Sequence, residues 1–233
     1  GRTGLWVFLF ALAALTGILV LLIFGAKRKI RSIPVPGAVV DAHPLNEGTV
    51  NVMKGVYFDK SHTWSYMEKD GNVRIGIDDF LQHVTGTLTK IKFKEPGDHV
   101  RRGEKIFTII RNGKQIDIHS PISGIIRERN VSLIEDSSAI NREPFGDGWV
   151  YLIEPVNWEK EIRFMFMSEK YQEWIKDEIL RLREFFGIVL RPGKPAYSQV
   201  ILQDGGELVD NVLSDMEPEV WEEFQRNFID KSV

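Results

Sequence analysis

Few side chains in this 233-residue chain are placed to do chemistry, and the absences narrow the classes first. Cysteine is missing, which excludes disulfides, thiolate nucleophiles, iron–sulfur ligation and cysteine zinc sites together. The sequence holds no metal-binding His pair, no His-Glu-x-x-His, no Gly-x-Ser-x-Gly and no phosphate loop. Gly205-Gly206 is not followed by Lys-Ser or Lys-Thr and reads as a turn. Asp78-Asp79 is an adjacent carboxylate pair, but neighbours in a strand or turn point apart and do not converge. His62 has the type of a general base, yet no carboxylate or nucleophile is placed with it in a recognisable array, so it reads as structural. Lys114 offers an amine beside Asn112-Gly113, with Arg111 on the other side. Catalytic and metal-ligating residues are therefore expected to be absent, and the chain is not expected to be an enzyme.

The elements that would position these residues change type along the chain. Residues 56–155 read as short strands and turns. Val73, Ile75 and Ile77 alternate onto one face, and Leu88, Ile91 and Phe93 repeat the pattern less regularly. The runs 106–110 and 115–118 flank Asn112-Gly113, a strong signal for a two-residue hairpin, because a type I′ turn needs positive φ at both central residues. Runs at 124–127 and 149–153 complete an all-β stretch of sandwich or barrel type. After Pro155 the spacing of Tyr171, Trp174, Ile175, Ile179, Leu182 and Phe186 predicts a helix over 159–186, with Gly187 as its stop. A second helical stretch is predicted over 207–228, with Pro218 in a first turn.

The N-terminal composition is different. Residues 5–26 carry no charge and reach roughly 33 Å as a helix, enough to cross a hydrocarbon core of about 30 Å. Trp6 sits at one end; Lys27, Arg28, Lys29 and Arg31 crowd the other. The basic cluster follows the apolar run, which argues against a cleaved signal. The positive-inside rule places the N-terminus outside and the rest of the chain in the cytoplasm. Thr16 and Gly17 are candidates for close helix packing in lipid. The expected organisation is a transmembrane anchor over 1–26, a linker over 27–55 with short β-like runs at 38–40 and 49–53, a β domain with trailing helix over 56–186, and an extension over 187–233, an α+β class overall. Residues 204–231 carry nine acids and two bases, residues 90–129 ten bases and five acids, a split that suits tail docking, a partner site or two solvated faces. The net charge of −3 and the lack of basic–aromatic interleaving speak against a nucleic-acid partner.

Five pieces of the β region, in order, resemble the H protein of the glycine cleavage system, a lipoyl carrier with a hybrid-barrel sandwich fold. They are Ser61-His62-Thr63-Trp64, residues 75–82 (Ile-Gly-Ile-Asp-Asp-Phe-Leu-Gln), Pro96-Gly97-Asp98 with Gly103-Glu104, residues 117–124 (Asp-Ile-His-Ser-Pro-Ile-Ser-Gly), and residues 140–149 (Ile-Asn-Arg-Glu-Pro-Phe-Gly-Asp-Gly-Trp). The resemblance implies a lipoyl group on a lysine at the hairpin tip, within Glu-Ser-Val-Lys-Ala. Counting back from Ser120-Pro121, that position falls on Gly113, and Lys114 lies one place past it. A one-residue slip turns a strand side chain to the other face. Trp64 and Trp149 are expected in the core.

The expected function is thus that of a non-catalytic, single-pass membrane subunit with an H-protein-like domain, an accessory or scaffold component of a membrane complex. Such a host is respiratory or energy-converting by analogy only. The alternative is a membrane-tethered lipoyl carrier with Lys114 as the attachment site; otherwise no cofactor is expected. Thr16, Gly17, Arg111, Lys114, Trp221 and Phe224 are the candidate partner-binding residues, with the lipid bilayer and integral-membrane subunits as partners.

Overall fold

In the computed structural model, residues 43–189, 202–203 and 207–232 are described. The strands, in chain order, are β1 (Pro44–Leu45), β2 (Tyr57–Asp59), β3 (Thr63–Met67), β4 (Val73–Ile77), β5 (Lys90–Phe93), β6 (His99–Val100), β7 (Lys105–Arg111), β8 (Lys114–His119), β9 (Gly124–Arg129), β10 (Tyr151–Pro155), β11 (Leu202–Gln203) and β12 (Glu207–Val209). An antiparallel six-stranded sheet runs β2-β3-β4-β10-β9-β6, a three-stranded sheet runs β5-β7-β8, and β1-β12-β11 form a third. Alternation decides the faces. Val73, Ile75 and Ile77 of β4, Ile126 of β9 and Ile153 of β10 are buried together with Phe107, Ile109, Ile116 and Ile118 of the smaller sheet. Each such side chain contributes about 1.5–3 kcal/mol on leaving water.

Two glycines in strands have steric reasons. Gly76 pairs with Trp64, whose indole lies so close that a Cβ at Gly76 would fall 2.8 Å from the ring. The indole Nε1 donates to the Pro144 carbonyl at 3.0 Å, so Trp64 is core, as expected. Trp149 is only partly buried, with the Arg74 guanidinium 5.6 Å from its ring. Gly124 lets β9 pass the Glu154 backbone, where a Cβ would collide with the carbonyl oxygen and lie 2.5 Å from the Ile153 side chain.

Up to residue 189 the helices differ from the sequence expectation in three places. Asp78 does not sit in a strand or plain turn; it caps α1 (Asp79–Thr85), accepting from the Leu81 N–H at 2.8 Å. The helix predicted over 159–186 is broken into α4 (Trp158–Glu161), a 3-10 turn (Ile162–Phe164) and α5 (Ser168–Val189), following the one-turn helices α2 (Ser132–Glu135) and α3 (Ala139–Arg142). The break arises because Phe166 bridges to the free edge of β2, exchanging two 2.8 Å backbone hydrogen bonds with Phe58. Gly187 does not stop α5, which continues to Val189; an exposed mid-helix glycine costs about 1 kcal/mol and breaks nothing by itself.

The C-terminal segment is not one helix. Leu208 and Val209 pair with Leu45 and Pro44, turns follow, and α6 (Pro218–Phe224) starts at Pro218, as its position suggests, before a π turn (Gln225–Ile229) and a 3-10 turn (Asp230–Ser232). The linker expected over 27–55 ends inside the fold, because Leu45 and Val50 join the core. The β-like run expected at 49–53 is loop, its strand lying instead at Pro44–Leu45. The anchor over 1–26, with Thr16 and Gly17, and the run at 38–40 lie outside the described residues. Among the described residues no helix is long and apolar enough to cross a membrane.

Two glycine substitutions should move stability in opposite directions. Gly124→Ala should cost about 1–3 kcal/mol through overpacking. Gly187→Ala, whose Cβ meets nothing within 4 Å, should be neutral or gain up to about 1 kcal/mol. Thermal or urea unfolding reads both, and equal effects would contradict the placement of Gly124.

Candidate functional site

The hairpin forms as its sequence requires. Arg111 pairs with Lys114 at the end of β7 and β8, and the two turn residues take φ of 49° at Asn112 and 83° at Gly113. Gly113 occupies the apex in open space. Lys114 is the first residue of β8, and its side chain leaves the apex. Its Nζ donates to the Ser214 carbonyl at 2.5 Å and the Met216 carbonyl at 2.9 Å, and sits 5.4 Å from the centre of the Trp221 ring. Partial burial pulls the amine below its ordinary range and nearby Arg111 adds to this, against the opposing charges of Asp215 and Glu217.

Arg111 does not present a basic flank to solvent either. Its guanidinium lies against Gly86 and donates to the Thr87 carbonyl at 2.9 Å. Trp221 and Phe224, expected as partner surfaces, are buried in cis. The Trp221 indole donates to the Leu213 carbonyl at 2.8 Å, and Phe224 stacks on Phe228 at 4.6 Å and meets Phe185 edge-on at 6.3 Å. Lys114 and Trp221 are thus brought together, Phe224 packs within the same tail, and Arg111 turns to the loop after α1; the two aromatics are not exposed partner sites.

Gln225 completes that contact and was not singled out in the sequence. β8 is an edge strand of its sheet. The Gln225 amide accepts from the Asp117 N–H at 2.8 Å and donates to the Asp117 carbonyl at 3.1 Å, pairing with the edge as another strand would. On the other side of the segment, Asn211 N–H donates to the His83 carbonyl at 2.6 Å and Leu213 N–H to Val84 at 3.0 Å. Gln225 lies four residues after Trp221 and so on the same helical side; nothing in the sequence says which edge that side meets.

A second cluster corrects the reading of His62. Its Nδ1 lies 2.9 Å from Asp78 Oδ2 and its Nε2 3.2 Å from Glu178 Oε1, with both carboxylates buried. Tyr171 donates to the same Asp78 oxygen at 2.6 Å, and Arg181 pairs with Glu178 at 2.8 Å. The ring stacks on Phe80 at 4.7 Å. The carboxylates absent from the local sequence are supplied by the cap of α1 and by α5, 116 residues downstream. Burial alone would depress the imidazole; the charges and hydrogen bonds of Asp78 and Glu178 outweigh it and raise the pKa to about 9. Both ring N–H groups then donate to carboxylates, which leaves no lone pair to act as a base. The cluster ties α5 to the β domain, so His62 is structural, as expected, though by a network the sequence did not reveal. Asp79 serves elsewhere, accepting from Asn51 N–H at 2.6 Å and lying 3.2 Å from His83, which also meets Asp210 at 2.8 Å. Burial again opposes; Asp210 and Asp79 raise His83 to about 10.

Comparison with known proteins gives the following. The family model for Glycine cleavage H-protein matches residues 56–178. A probable glycine cleavage system H protein of Pyrococcus abyssi is 32% identical over 57% of this chain and 98% of its own length. The glycine cleavage system H protein of Stenotrophomonas maltophilia is 35% identical over 52% of this chain and 92% of its own. The crystal structure of a glycine cleavage system H protein from Mycobacterium marinum is 27% identical, covering 45% of this chain and 87% of that one with a TM-score of 0.43.

A histidine raised from 6.5 to about 9 stabilises the fold fully below about pH 6.5, and that stability is lost as pH rises through 9. Unfolding free energy should therefore fall between pH 7 and 10, with His83 extending the decline towards its own value near 10. His62→Gln should flatten part of this slope and cost about 3 kcal/mol or more at pH 7 by leaving buried carboxylates unpaired. A wild-type stability that is level from pH 6 to 10 would contradict the network.

Proposed function

The chain belongs to the glycine cleavage H-protein family, and on that footing we propose that it is a membrane-tethered, non-catalytic member that serves as an accessory module of a membrane complex. H proteins carry a lipoyl group and do not themselves catalyse, so the lack of a catalytic constellation among the residues named above is in keeping with the family. The fit of the lipoyl group to this chain turns on the hairpin. An attachment amine must stand at the apex so that the arm swings free. Here the apex holds Asn112 and Gly113, and the nearest amine, Lys114, points into the C-terminal segment. These residues do not fit a swinging-arm site. That single observation, Gly113 at the tip with the Lys114 amine between two backbone carbonyls, carries the proposal.

The tether rests on the sequence alone: the uncharged run 5–26 followed by Lys27, Arg28, Lys29 and Arg31. The N-terminus then lies outside and the β domain in the cytoplasm, with integral-membrane subunits as partners. A respiratory or other energy-converting complex is the host suggested by analogy. The second reading is a tethered lipoyl carrier modified on Lys114. The family matches, taken by themselves, support it better than an accessory role, because they span nearly the whole length of carrier proteins.

The intact mass of the protein extracted from its native membrane separates the two. The accessory reading predicts an unmodified mass; a lipoyl-sized excess mapped to Lys114 would establish the carrier. Lys114→Met adds a second readout. Loss of the ammonium should cost about 1–3 kcal/mol through the two carbonyls left without a charged donor, while co-purification of partners persists. A variant of full stability that loses its function would favour the carrier.

A further inference from the structure

Residues 158–168 run along β2, the outer strand of the six-stranded sheet, and hold to it at two points and to the loop before it at a third. Trp158 meets Tyr57 edge-on at 5.4 Å, Phe166 bridges to Phe58, and the Ser168 hydroxyl donates to the Met53 carbonyl at 3.2 Å. These contacts bring the two stretches side by side, and three of their apolar side chains are exposed: Phe164 is 64% exposed, Met167 48% and Met53 44%. Trp158, packed on Tyr57, is only half-buried. Such a cluster is unusual on a soluble face.

The surrounding charge is mostly positive. Lys54, Lys60 and Arg163 are exposed within it, and the Arg102 guanidinium covers the Phe164 ring at 5.1 Å. The nearby carboxylates are partly withdrawn. Glu161 turns inward to accept from the Ser123 N–H and hydroxyl at 2.8 and 2.6 Å, and Asp59 is buried and paired with Arg102 at 2.5 Å. Glu159 and Glu169 remain exposed. An aromatic and methionine face with a basic surround is the composition that settles into the headgroup layer of an anionic leaflet. The length of chain makes this possible in space. Residues 27–42, between the uncharged run and the described fold, reach roughly 55 Å when extended, and their own bases favour the same leaflet.

We infer that the face formed by Met53, Trp158, Phe164 and Met167 lies against the anionic surface of the bilayer in which the chain is anchored. The inference rests on the anchored reading above. It assigns the domain an orientation, with β2 towards the lipid.

Because the chain has no cysteine, single cysteines can be labelled cleanly. The full chain carrying Phe164→Cys or Met167→Cys, each bearing an environment-sensitive fluorophore, is reconstituted into phosphatidylcholine nanodiscs with and without phosphatidylserine. Ile134→Cys, at an equally exposed apolar position on α2, is the control. The expected result is a blue shift and severalfold stronger quenching by headgroup-depth nitroxide lipid at 164 and 167 than at 134, dependent on phosphatidylserine and weakened by salt. Equal quenching at all three positions would overturn the inference. So would shielding in the native membrane that lipid discs do not reproduce, since a protein would then cover the face. Release of the chain from membranes by alkaline carbonate would overturn the anchored reading itself, and the inference with it.

Discussion

An edge strand must have its backbone groups satisfied, and the way β8 meets that requirement shapes the rest of this molecule. Its outer edge is met by the C-terminal segment. Gln225 pairs with Asp117 through both halves of its amide, Lys114 donates to two carbonyls of the incoming turn, and Trp221 lies beneath the lysine. The apolar contacts follow from that docking. Phe224 and Phe228 reach Phe185 on α5, and Leu208 pairs onto Leu45 near the start of the fold. The segment is thereby part of the domain and not a free tail. Its acidity plays a small role in holding it, through His83 with Asp210 and a longer 3.7 Å approach of His119 to Asp230.

In the accessory role proposed above, the same docking is what sets this chain apart from a carrier. A carrier hairpin needs an open apex with an amine on it. Here the apex is open but has no amine, and the amine one residue further on is used to hold the segment. In that role the lysine holds the segment and does not serve as an arm. Elsewhere in the fold, α5 is held to the β domain by a different device, the buried His62 between Asp78 and Glu178 with Tyr171 on the shared carboxylate. Both attachments place a cation among acceptors, fully buried at His62 and partly buried at Lys114. Breaking the His62 cluster leaves buried carboxylates without a donor, which costs more than the pair itself contributes.

What was legible in the sequence had local causes. Asn112-Gly113 dictates the turn because both positions need positive φ, and Val73, Ile75 and Ile77 declare a strand by alternation. Pro218 marks a helix start because it lacks the donor that the first turn leaves unused. The H-protein resemblance was carried by short pieces in order, and the family matches agree with it over residues 56–178. What was missed depends on distant pairing. Glu178 reaches His62 only after α5 folds back, and the strand at Glu207–Val209 exists only because Pro44–Leu45 lies beside it. The apolar spacing of residues 208–216 imitates a helix while those residues form strand and turns. Trp221 and Phe224 looked like docking residues and are; the surface they meet belongs to their own chain.

The most direct test is the reactivity of the Lys114 amine in the folded full-length protein. Brief acylation with an amine-directed reagent, followed by peptide mass spectrometry, compares it with Lys90 and Lys105, which are exposed on the same sheet. The docked arrangement predicts strong protection of Lys114 relative to both, lost on unfolding. Labelling of Lys114 as fast as Lys90 would mean that the C-terminal segment does not hold the amine, and the case against a swinging arm would fall with it.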